Sequence, residues 1–268
     1  MTKLEAVIFD WAGTTMDYGC KAPVVAFQQV FAEKGVPISI EEARGPMGAH
    51  KKIHITKITE MEPVAERWLA VHGQYPNKKD VEEMFSSFVP AQMKVLGDYA
   101  GLIPGTLETM QDCRGMGLSI GSTTGYTGEM MHLLIKKAME QGYTPHVSVC
   151  STGDFAIRRL DGYQYHKIQG LKDDFSISRP QPFMCQLNQM ILGVKDSYKC
   201  VKVGDTLDDI REGYNAGMWT IGLTMTGNEI GLNLEEINAL PIQKVIPQLV
   251  RAQGRMSEAG ADYIAETI

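Results

Sequence analysis

Short unbroken apolar runs, four to six residues long, recur along the chain between stretches of helical period. "AVIF" (Ala6–Phe9) is the first, followed by 118–122, 146–150, 200–205 and Trp219–Leu223. Continuous apolar runs of this length suit strands buried on both faces, whereas half-exposed strands alternate. Between them, "TLETMQDCRGMG", "GEMMHLLIKKAMEQG" and "LDDIREGYNAG" read as helices, and the last two end in a glycine suited to close a helix. Strand–helix alternation predicts an α/β fold with a Rossmann-like parallel sheet covered by helices on both faces. Functional residues in such sheets gather beyond the carboxyl ends of the strands. Asp10, Thr124 and Asp205 each close or follow a predicted strand, so the three are expected at one edge. Near the end of the chain, "GADYIAETI" reads as a last edge strand.

From residue 19 to residue 97 the pattern is different. "APVVAFQQVFAEKG", "AHKKIHITKITEM", "VAERWLAVHG" and "KKDVEEMFSSFVPAQMKVL" all read as helices, with no strand-like run among them. The expected organisation is a core domain of residues 1–18 and 98–268 with an inserted α-helical cap domain at 19–97. Its place directly after the first strand sets it over the sheet's functional edge.

Composition narrows the field only modestly. The chain has 268 residues, 44% hydrophobic and 22% charged, as in ordinary globular proteins. A net charge of −6 with mixed signs argues against a nucleic-acid partner. No apolar run reaches the length of a membrane span, and the first ten residues carry too short a run for an export signal. The five cysteines are scattered without metal-ligand spacing, so reduced thiols and a cytoplasmic location are expected.

Chemistry concentrates at the strand ends. A carboxylate such as Asp10 can attack phosphorus and divide one difficult transfer into two steps. "VGDTLDD" supplies Asp205 and Asp209, suited to Mg²⁺, a hard ion held through carboxylates. "GSTTGY" supplies the Thr124 hydroxyl and the Gly125 amide ahead of a helix start, a cradle for phosphoryl oxygens. "VIFDWAGTTMD", "IGSTTGYT" and "VKVGDTLDD" together resemble the motifs of the haloacid dehalogenase superfamily of phosphoryl-transfer enzymes. That resemblance implies Asp10 as nucleophile, Thr124 as phosphate binder and Asp205 as metal ligand.

Position 12 is the informative exception. Relatives that hydrolyse phosphate esters carry a second aspartate there to protonate the leaving oxygen, and Ala12 cannot donate a proton. A departing carbon needs an electron sink instead, which a protonated lysine imine provides. "RGPMGAHKKIHITKITEM" places Lys51 and His54 three residues apart, on one helix face directed at the sheet edge. Lys52 beside them is expected to lower the amine pKa.

Ala12 combined with this pair, and with "DWAGTT", "EEARGPMG", "STTGYT" and "NAGMWT", resembles the phosphonoacetaldehyde hydrolase (phosphonatase) family, which cleaves a carbon–phosphorus bond. The resemblance implies Asp10 as nucleophile, Lys51 as the imine-forming amine, and His54, with Met47, assisting proton transfer. It further implies Mg²⁺ held by Asp10, the Ala12 carbonyl and Asp205, with Cys20 and Tyr126 lining the pocket. A small phosphonate is the implied substrate and a homodimer through the cap domain the implied assembly.

Two features depart from the family pattern. Its phosphoryl-supporting arginine–proline pair corresponds to Arg179 and Pro180, reached through "DDFSISRP", with Ser178 in place of a usual glycine. An inserted segment near 152–173 makes this connection about twenty residues longer than the pattern, beyond the usual loop length. It reads as an excursion from the site, or as one that displaces Arg179 in favour of Arg158 or Arg159. The competing functional readings are a phosphate-ester phosphatase or mutase, and a catalytically silent binding protein.

Overall fold

The computed structural model describes residues 3–171 and 177–268; the part of the approach to Arg179 at 172–176 lies outside the described residues. The strands are β1 (Ala6–Phe9), β2 (Ser119–Thr124), β3 (Val147–Cys150), β4 (Asp154–Arg159), β5 (Gly162–Lys167), β6 (Cys200–Gly204), β7 (Trp219–Leu223) and β8 (Tyr263–Ala265). Between β1 and β2 come α1 (Lys21–Glu33), α2 (Ile40–Arg44), α3 (Lys51–Thr59), α4 (Glu62–His72), α5 (Lys78–Leu96) and α6 (Thr106–Gly115). The remaining helices are α7 (Gly128–Glu140), α8 (Phe183–Ile191), α9 (Leu207–Asn215), α10 (Leu234–Ala239) and α11 (Ile242–Glu258).

The strands form one sheet in the order β5-β4-β3-β2-β1-β6-β7-β8. β1 is central and parallel to both neighbours, with Phe9 opposite Ser122 and Val203. All four β1 residues are buried because both faces are covered. Ala6 and Ile8 pack with Cys185 of α8, while Val7 and Phe9 share a larger core with Met110 and Cys113 of α6. This register brings the carboxyl ends of β1, β2 and β6 together, and the Asp10 amide still bonds the Val203 carbonyl at 2.9 Å.

The inserted segment corrects the sequence expectation in one respect. It is an antiparallel hairpin, β4–β5, that pairs with β3 and extends the sheet, so the sheet is parallel-dominated rather than purely parallel. The aromatic and β-branched residues of 154–167 flank a Leu160–Asp161 turn before Gly162, whose φ of 137° favours glycine. Arg158 and Arg159 lie exposed on β4, whereas Arg179 is buried at the strand ends. Arg179 therefore lies beside Asp10, while the two β4 arginines face away from that edge into solvent.

Helices α1 to α5 intervene between β1 and α6, and they pack through their own apolar faces. Phe27 of α1 stacks on Phe88 of α5 with ring centroids 4.4 Å apart. The five-residue α2 was not anticipated from periodicity; a capping box between Ser39 and Glu42 holds it. At the entrance to α1, Cys20 sits at the N-cap in a left-handed conformation and supplies no side-chain cap. Asp17 supplies one instead, accepting the Lys21 amide at 2.9 Å and the Ala22 amide at 3.0 Å. Asp17→Ala leaves both amides without a partner, and a denaturant titration should show a loss of about 1–2 kcal/mol.

Candidate active site

Each functional side chain is delivered by a strand or helix end. Asp10 leaves β1, Thr124 closes β2 and leads into Gly125 and Tyr126, and Asp205 leaves β6. Asp209 is the third residue of α9, where it forms a capping box with Thr206. Lys51 opens α3, and Cys20 stands just before α1. Across this edge lies one small cavity of about 20 Å³. The sheet side contributes Asp10, Ala12, Thr124, Gly125, Tyr126 and Arg179 to its wall. The helical side contributes the predicted Cys20, Met47 and Lys51, together with Pro23 and Gly48, and Thr206 joins them at the start of α9. Gly125 packs closely against the Gly48 backbone, since a Cβ there would lie 3.2 Å from its carbonyl oxygen.

A dense ion-pair network supports the cavity floor. Arg179 Nη2 donates to Asp10 Oδ1 at 2.5 Å and to Thr123 Oγ1 at 2.8 Å, and its Nε donates to Glu212 Oε2 at 2.9 Å. Arg179 also lies 3.0 Å from Asp209. Lys202, inside β6 and fully buried, donates to Thr123 Oγ1 at 2.7 Å and pairs with Asp209 at 2.8 Å and Glu212 at 3.4 Å. Lys202 and Glu212 were missed in the sequence. The signal was a lysine inside the apolar run "CVKVG", because a buried charge must find a partner.

The acids outnumber these cations. Oxygens of Asp10, Asp205 and Asp209 lie within 4.8 Å of one another. Burial works against ionisation of Asp209, but Arg179 and Lys202 outweigh it and hold its carboxyl below the usual range. Asp205 differs: it accepts from Thr14 Oγ1 at 3.1 Å and the Asn228 amide at 2.8 Å, both neutral. Burial, and then the charges of Asp10 and Asp209, push its carboxyl well above the ordinary value. An all-oxygen set of buried acids, one of them lacking a cationic partner among the described residues, fits a hard divalent metal ion. Asp209, the third acid of the set, also pairs with Arg179 and Lys202.

Lys51 is 4% exposed, with its Nζ 5.1 Å from the Tyr126 ring centroid and 5.8 Å from that of Phe27. Burial lowers its pKa to about 8, with Arg179 adding to the effect and Asp10 opposing it. Lys52, expected to cause the shift, turns outward to pair with Glu82 of α5. His54 is also placed differently from the expectation. It lies behind Lys51 and outside the cavity wall, with its ring 3.9 Å from Phe27 and Nε2 donating to the Ala43 carbonyl at 2.8 Å. Burial and the neighbouring Lys51 keep it neutral. Asp17, the nearest acid in sequence after position 12, is committed to capping α1.

No family model matches the chain. Among curated proteins, it is 41% identical over 266 residues to the phosphonoacetaldehyde hydrolase of Bacillus cereus (strain B4264), covering 99% of this chain and 93% of that protein. It is 42% identical over 265 residues to the phosphonoacetaldehyde hydrolase of Syntrophobacter fumaroxidans, covering 99% and 88%. The crystal structure of a phosphonoacetaldehyde hydrolase-like protein from Oleispira antarctica matches with a TM-score of 0.89 at 35% identity, covering 99% of this chain and 89% of that one.

The buried network yields a stability test. Lys202→Met leaves Asp209 and Glu212 short of a cation, and the unfolding free energy should fall by about 3–5 kcal/mol in urea titrations. A loss under about 1 kcal/mol would mean that Arg179 alone balances the acids.

Proposed function

The chain belongs to the phosphonoacetaldehyde hydrolase family of the haloacid dehalogenase superfamily, and we propose that it hydrolyses phosphonoacetaldehyde to acetaldehyde and phosphate. The observation that carries the reading is a single cavity in which the Lys51 amine and the Asp10 carboxylate meet, with the methyl group of Ala12 where an acid would stand.

In this reading the helices of 19–97 act as a cap that closes over the strand ends. Mg²⁺, held by Asp10, Asp205 and the Ala12 carbonyl, would neutralise the phosphoryl oxygens and the charge that develops on them. Lys51, with its pKa lowered to about 8 chiefly by burial, is far more often a free amine near neutral pH than an exposed lysine is. The amine condenses with the aldehyde and releases water, and the imine nitrogen takes one proton from solvent to become a protonated imine. Asp10 then attacks phosphorus, and the electrons of the C–P bond pass into the imine to give an enamine and an aspartyl phosphate. No proton on oxygen is needed at that step, which is why alanine serves at position 12.

Arg179 stands against Asp10 to hold phosphoryl oxygens. Thr124 Oγ1 accepts the Tyr126 amide at 3.2 Å and so keeps its own proton for the same task. Water hydrolyses the aspartyl phosphate. The enamine gains a proton on carbon, and hydrolysis of the resulting imine frees acetaldehyde and Lys51. Cys20, Met47 and Tyr126 give the aldehyde end an apolar wall. His54 buttresses α3 behind the amine and makes no contact with the cavity.

A homodimer through the helical segment accompanies the reading. Its support is a groove of about 880 Å³ lined by residues of α3, α4 and α5, including Ile53, Val81 and the preceding Tyr75. Five free cysteines support a reducing, cytoplasmic setting. No helix among the described residues is long and apolar enough to cross a membrane.

Phosphate release from phosphonoacetaldehyde in the presence of Mg²⁺ tests the reading, with simple phosphate monoesters as the contrast. Lys51→Arg and Asp10→Asn should each lower turnover by about 10³-fold or more. Full activity of Lys51→Arg would remove the amine from the chemistry. Because the free amine is the reactive form, kcat/KM should rise with pH along a limb centred at about 8. A profile flat from pH 6 to 9 in steady-state assays would contradict that assignment.

A further inference from the structure

Arg44, the last residue of α2, lies outside the cavity wall yet makes contacts that converge on the metal-side carboxylate. Its Nη1 donates to Asn228 Oδ1 at 3.2 Å, and its Nη2 donates to the carbonyls of Gly19 and Gly231, each at 2.9 Å. The Asn228 side chain returns a bond to the Arg44 carbonyl at 3.4 Å. The backbone amide of the same asparagine donates to Asp205 Oδ2 at 2.8 Å. One guanidinium therefore ties α2, the connection into α1 and the loop after β7 to the group that orients Asp205.

The packing around these bonds leaves little slack. Gly231 has φ of 70°, and a Cβ there would lie 2.5 Å from Arg44 Cζ, so the guanidinium rests against bare backbone. Gly13 and Gly227 close on Asp205 in the same way: a Cβ would lie 2.2 Å from Asp205 Oδ2 at the first and 2.1 Å from Asp205 Cβ at the second. Asp205 is thus clamped between two loops, and the Asn228 amide is the backbone donor that sets the direction of its carboxylate. A donor one shell out from a metal ligand controls affinity because it fixes the ligand's orientation before the ion arrives.

We propose that Arg44 is a positioning residue for the metal centre, acting through Asn228 to hold the Asp205 carboxylate in its binding orientation. The inference rests on the Mg²⁺ reading above but not on the carbon–phosphorus chemistry. Three acceptors in a fixed fan require the planar fork of arginine, and a lysine at this position reaches too few of them to substitute.

The test is calorimetric titration of Mg²⁺ into substrate-free protein, paired with thermal unfolding without the ion. Arg44→Gln and Arg44→Lys should each weaken Mg²⁺ binding by about 10-fold or more. Asn228→Ala removes the anchored amide side chain and should produce a similar loss, with Arg44→Gln/Asn228→Ala losing no more than the worse single variant. Affinities within twofold of wild type in both Arg44 variants would overturn the proposal, and so would losses that multiply in the double variant. If Arg44→Gln fails to fold, Asn228→Ala alone decides: unchanged Mg²⁺ affinity there overturns the route through Asn228. The titration involves no phosphonate, so inactivity toward phosphonoacetaldehyde would sink the functional reading and leave this result standing.

Discussion

The ion pair between Arg179 and Asp10, at 2.5 Å and almost fully buried, is the interaction on which the rest of the structure depends. A nucleophilic carboxylate buried at a strand end is unfavourable unless charge of the opposite sign is nearby. Once Arg179 is brought in, it too must be neutralised, and Asp209 and Glu212 do so. Those acids then draw Lys202 into the interior of β6. The network grows outward until its buried charges are paired, except at Asp205, whose hydrogen bonds come from neutral donors. A divalent ion beside Asp205 would supply the positive charge that its neutral donors do not.

On the opposite wall the helical segment does the reverse. It buries Lys51 against Tyr126 and Phe27, where among the described residues no carboxylate forms an ion pair with it. In the first arrangement Arg179 opposes the burial that raises the Asp10 carboxyl pKa, while in the second burial lowers the Lys51 pKa to about 8. A sheet edge that gathers carboxylates thus faces a helical surface that makes an amine easier to deprotonate, and the reaction proposed here needs both. Ala12 lies between them and adds no titratable group.

Much of this was legible in the sequence, for reasons that differ by element. The run Ala6–Phe9 appears unchanged as β1, because a strand buried on both faces has no polar residue to blur its ends. The stretch 78–96 read as a helix appears with the same bounds, and in the structure an Asn77–Asp80 capping box opens it. The hairpin β4–β5 was read as an irregular excursion because its alternation of aromatic and charged residues is weak and its pairing partner, β3, is supplied by tertiary structure. Strand and helix pattern pointed to Lys51 and Thr124, and only the family resemblance pointed to Arg179; all three line one cavity. His54 does not, because helical spacing sets which face a residue shares but not how deep its ring will pack, and Phe27 captured it. Lys202 and Glu212 were hidden for a related reason. A charge within an apolar strand is uninterpretable until the fold shows which charges surround it.

The measurement closest to the central claim is covalent trapping of the amine. Protein mixed with phosphonoacetaldehyde and borohydride, then digested and read by mass spectrometry, should carry a reduced adduct on Lys51 in proportion to lost activity. Inactivation without an adduct on Lys51, or turnover that persists undiminished under trapping, would contradict an imine route through this residue.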